Sequence, residues 1–118
     1  MKNTTKILIV FASFLLLLLT VNGYSQETTT LYGEQVKGTA GKNAVLKCSG
    51  IKFTSSVTIN DVTGDNAGFW ISNKNGVLII NFDTMEEAIG YKLKKGTYYV
   101  YPNLRNNQNK ATVTVSFQ

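Results

Sequence analysis

Apolar and polar residues alternate in short runs along most of this chain, and turn-forming residues separate the runs. Ser56-Val57-Thr58-Ile59-Asn60 and Ala111-Thr112-Val113-Thr114-Val115-Ser116-Phe117 keep a period of two, the pattern of a strand with one buried face. In the second run Ala111, Val113, Val115 and Phe117 are expected to point inward. Thr97 to Tyr101 is rich in β-formers and stops at Pro102. Tyr32 to Lys37 and Ala44 to Cys48 read as earlier strands, ended by glycine-containing turns. Gly68 to Ser72 begins another, and the Asn75-Gly76 pair joins it to Val77-Leu78-Ile79-Ile80-Asn81-Phe82 as a hairpin. With no polar residue in its middle, that last run is expected to be buried on both faces. Asp83 to Gly90 departs from the pattern. A capping residue, early acids and a closing glycine there predict a short helical turn between strands. Together these elements predict an all-β chain. The expected fold is an antiparallel β-sandwich of six to eight short strands, jelly-roll or immunoglobulin-like in order.

The start of the chain has a different grammar. Lys2 and Lys6 precede Ile7 to Val21, where only Ser13 and Thr20 are polar, and small polar residues follow. This order reads as a secretory signal peptide over residues 1–25, cleaved on export. A membrane anchor needs about 20 apolar residues, more than this run supplies, so no stable anchor is expected after cleavage. Residues 26–30 then read as a flexible leader, and residues 31–118 as one β-sandwich domain, secreted or periplasmic. Lipidation would need a cysteine at the cleavage point, and Cys48 lies far downstream.

Composition narrows the chemistry. The chain has a single cysteine, so no disulfide can form within it, and Cys48 is expected to pack as a small hydrophobe. It has no histidine, which removes the commonest general base and the usual partner of a serine or cysteine nucleophile. No enzyme activity is expected. The formal charge is +5, and loss of Lys2 and Lys6 leaves ten basic against seven acidic groups. Lys92, Lys94 and Lys95 precede the Thr97 strand while Arg105 and Lys110 follow it, at opposite ends of a sheet. Charges so separated are screened from one another, and nucleic acid is not an expected partner.

Two sets of residues are candidates for binding. Asp61 and Asp65, with Asn60 and Asn66 beside them, could gather oxygens around calcium, although a plain Asx-rich turn accounts for the same residues. No other cofactor is implied. In the Thr97 strand, alternation sends Tyr98 and Val100 inward and leaves Tyr99 and Tyr101 on the outer face, about 7 Å apart. Rings spaced in this way can stack on a carbohydrate or anchor a protein partner. Trp70, between Phe69 and Ile71, reads as a core residue. The polar loop from Pro102 to Lys110 offers an alternative contact, of the kind a secreted inhibitor or immunity-type factor presents.

Asp65-Asn66-Ala67-Gly68-Phe69-Trp70-Ile71, then Gly76-Val77-Leu78, then Tyr91 to Val100 and the last alternating run resemble the bacterial pre-peptidase C-terminal domain. That resemblance implies a secreted β-sandwich in which the Leu93-to-Tyr99 segment enters a strand paired with the final one. Gly41 to Cys48 and Gly96 to Val100 also resemble the second and sixth strands of an immunoglobulin domain, with Tyr98 as the corner tyrosine. The partner cysteine of that family is missing, and Val100 stands where it would be. Neither resemblance implies a catalytic residue.

Overall fold

Strands form where alternation can bury one face, and nine are present among the described residues of the computed structural model. Described are residues 28–118 apart from residue 66; the expected signal segment lies outside them. Five strands make the first sheet: β1 (Thr29–Val36), β2 (Val45–Cys48), β4 (Val57–Gly64), β7 (Lys92–Leu93) and β9 (Lys110–Phe117). Their order is β2-β1-β9-β4-β7. The second sheet holds β3 (Ile51–Phe53), β5 (Phe69–Asn73), β6 (Leu78–Phe82) and β8 (Gly96–Pro102), in the order β3-β8-β5-β6. Every pairing is antiparallel, so the chain is an all-β sandwich of two antiparallel sheets.

The inward rows are those that alternation selects. Val113, Val115 and Phe117 of β9 meet Phe69 and Ile71 of β5 and Val100 of β8 in one core, joined by Ile59, Phe53 and Phe82. Phe53 packs on Phe117 with ring centroids 5.0 Å apart, and Phe69 on Phe82 at 5.2 Å. The sheets approach closely at Gly33 of β1, where an added Cβ would stand 1.9 Å from the Val100 carbonyl oxygen. No other residue type fits there without moving a backbone.

Several expectations need correction. Thr29 and Thr30 are not leader but the first residues of β1, paired with Phe117 and Ser116. The strand count exceeds eight because β3 and β7 span three and two residues, too few to leave a period in the sequence. The Val77–Phe82 run is not buried on both faces. β6 is an edge strand, and Val77, Leu78 and Ile79 are 56%, 57% and 40% exposed. A register shift against β5 bulges Ile79 out of the ladder, and only Phe82 of the strand is fully buried.

The expected helical turn is a single 3₁₀ turn over Glu86–Ala88. Thr84 Oγ1 accepts from the Glu87 N–H at 3.4 Å, and the Glu87 carboxylate accepts from the Asp83 N–H at 3.1 Å. These two bonds brace the segment leading into the turn, and Ala88 is its buried residue. At the other side, Ser49 and Gly50 carry the chain from β2 in the first sheet to β3 in the second, with Gly50 at φ 74°.

Candidate functional site

β8 positions the two candidate tyrosines. Its even-numbered residues Tyr98, Val100 and Pro102 are buried, so Tyr99 and Tyr101 occupy the outer face of the second sheet, both half-buried. Tyr98 fixes the start of the strand, its hydroxyl donating to the Lys94 carbonyl at 2.9 Å. In the register with β5, Tyr101 stands opposite Trp70 and Tyr99 opposite Ser72. Trp70 therefore lies outside and not in the core, because Phe69 and Ile71 on either side are fully buried and claim the inner face. Its ring lies 5.5 Å from that of Tyr101, centroid to centroid, tilted by 43°.

The Tyr99 ring rests on Gly50, where an added Cβ would stand 2.4 Å from the ring. Gly50 thus serves two ends: it takes the positive φ of the crossover and leaves room for the aromatic. Burial pushes the Tyr101 phenol above its usual pKa, with Cys48 and Tyr99 adding in the same direction. Tyr101 is therefore a neutral hydrogen-bonding group at ordinary pH. Cys48 is half-buried and packs against the core. Trp70, Tyr101 and Tyr99 thus share the outer face of the second sheet as three half-buried rings, each carrying one hydroxyl or indole N–H group. Such a surface can hold a flat apolar sugar face while hydrogen-bonding its rim.

The two aspartates are not brought together. Asp61 is an exposed residue inside β4 and not the flank of a turn, and Asp65 follows that strand. Four steps of extended chain separate them by about 13 Å. The Asp65 carboxylate accepts from the Thr112 N–H at 2.7 Å, while its own N–H donates to the Thr112 carbonyl at 3.0 Å. Asp65 thus extends the β4–β9 ladder by one side chain. Among the described residues no three His, Cys, Asp or Glu side chains gather into one group.

A carboxylate that the sequence does not advertise lies on the first sheet. Glu34 is only 13% exposed, accepts from the Tyr32 hydroxyl at 3.2 Å, and has Lys110 at 3.6 Å and Lys47 at 4.0 Å. It borders an open groove of about 500 Å³ that also touches Cys48 and Ser49. Its two lysine partners come from the neighbouring strands β2 and β9, so Glu34 ties β2, β1 and β9 together. Among known proteins the chain matches no family model, no curated protein and no solved structure.

Proposed function

We propose that this chain is an exported, non-catalytic binding module that holds carbohydrate on the outer face of its second sheet. One observation carries the reading: Trp70, Tyr101 and Tyr99 lie side by side on a rigid sheet face, half-open to solvent. Three elements fix the platform before any ligand arrives, β5 and β8 through their register and Gly50 through its fit to Tyr99. A ligand meeting it therefore sacrifices little of the protein's freedom. The export half of the reading rests on residues 1–25 alone.

Calorimetry and a glycan array with the protein and its Tyr99→Ala/Tyr101→Ala variant test the platform. Each stacked ring is worth about 0.5–1.5 kcal/mol, so the double change should weaken binding by about tenfold or more. Full retention of affinity by a folded double variant would remove the platform from the reading.

A second reading, a secreted inhibitor or immunity-type factor acting by protein contact, is favoured by a different observation. Val77, Leu78 and Ile79 expose an uncharged apolar edge at β6. The bulge at Ile79 interrupts the row of free backbone groups, so such a contact would be made by side chains more than by an added strand.

A further inference from the structure

The aromatic row has a basic end. β3 and β8 pair in the register Lys52↔Thr97, and both residues share the outer face, since Phe53 and Tyr98 beside them are buried. Thr97 therefore stands one outward step before Tyr99 and two before Tyr101, so that the row spans about 13 Å. At the Thr97 end opens a groove of about 350 Å³ lined by Lys52, Lys74, Lys95, Asn73 and Asn75. The three lysines come from three separate segments: β3, the β5–β6 turn and the turn before β8. No acidic residue lines the groove. The salt bridges among the described residues engage Lys47 and Lys110 with Glu34, and none engages these three.

Asn73 adds donors. Its side-chain oxygen is committed to the turn, accepting from the N–H groups of Asn75 at 2.9 Å and Val77 at 3.0 Å. What it can still offer a ligand is its NH₂ group. Three exposed lysines, an amide donor and Thr97 thus line the groove. Gathering like charges is unfavourable unless an anion offsets it.

We infer that the carbohydrate is acidic: a carboxylate or sulfate on the glycan sits among Lys52, Lys74 and Lys95 while its rings stack on Tyr99 and Tyr101. This inference rests on the platform reading, and adds to it the charge of the ligand. A single-stranded nucleic acid fits less well. It carries a phosphate at every nucleotide, whereas the outward aromatic residues beyond the groove, Tyr99, Tyr101 and Trp70, bear no charge.

The test is calorimetry of three oligosaccharides of similar length, one neutral, one uronate-bearing and one sulfated, in low and high sodium chloride. The protein is compared with Lys52→Gln/Lys74→Gln/Lys95→Gln and with Tyr99→Ala/Tyr101→Ala. The protein should bind one of the two acidic oligomers more tightly than the neutral one, and salt should weaken that preference. The lysine variant should lose about tenfold for the acidic oligomer and none for the neutral one. The tyrosine variant should weaken both. If the lysine variant binds acidic glycan as well as the unaltered protein, the acidic inference is overturned while the platform stands. If only the tyrosine variant keeps its affinity, the platform reading fails and the groove remains. An oligothymidylate bound more tightly than either acidic glycan would overturn the ligand class.

Discussion

Replacing Gly33 by alanine sets two effects of opposite sign against each other. Glycine in a strand is entropically costly, and Gly33 does not occupy the positive-φ region. On chain entropy alone Gly33→Ala should stabilise by about 0.4–1 kcal/mol. Space argues the reverse. The new methyl would lie 1.9 Å from the Val100 carbonyl oxygen and 2.7 Å from its carbon, against an ordinary contact of at least 3.4 Å. β8 must therefore retreat by about 1.5 Å, roughly the deficit between those distances, and it carries both tyrosines as it moves. Overpacking costs about 1–3 kcal/mol, and a backbone obstacle cannot swing aside as a side chain can, so we expect about 3 kcal/mol of destabilisation. A domain of this size has about 5–10 kcal/mol to lose. Urea titration followed by Trp70 fluorescence should lower the midpoint by about 2–3 M at unchanged slope. Gly41→Ala is the control, because Gly41 has φ 77° and no atom within 4 Å of an added Cβ, so it bears only the conformational penalty. A Gly33→Ala midpoint at or above that of the unaltered protein would refute the close approach of the two sheets.

Two further outcomes follow from features of the edge and of Tyr101. Leu78→Lys/Ile79→Lys should abolish stoichiometric capture of a periplasmic or secreted protein while leaving glycan binding intact; capture that survives the change removes β6 from the second reading. The raised pKa of the Tyr101 phenol means the folded chain holds that proton more tightly than the unfolded chain, whose value is near 10.0. Its contribution to stability is complete below pH 10 and lost as pH climbs through the raised folded value. Between pH 8 and pH 11 the protein should therefore lose more stability than Tyr101→Phe, and equal losses would contradict the assigned burial.

Local alternation made β9 and β8 legible in the sequence, because each buries every second side chain and nothing else competes for that face. The same rule places Trp70 outside, since Phe69 and Ile71 beside it take the inner face. β6 misled for the opposite reason. Its unbroken apolar run resembles a central strand, and only sheet order, which is non-local, puts it at an edge. The Asx-rich stretch at Asn60 and Asp61 read as turn chemistry, yet pairing with β9 holds it extended through Gly64. The basic groove was illegible because Lys52, Lys74 and Lys95 converge only through the β3–β8 and β5–β8 registers. Of Lys92, Lys94 and Lys95, close together in the chain, only Lys95 lines the groove.

The placement of β9 between β1 and β4 has a consequence in time. The central strand of the larger sheet follows the other eight described strands in the chain, so β1 and β4 gain their longest partner only once Lys110–Phe117 has been made. Until then β1–β2 and β4–β7 stand as two separate halves of a sheet, facing a second sheet whose strands are already complete. The larger sheet therefore closes as one late event, when a single strand joins two halves that cannot pair with each other.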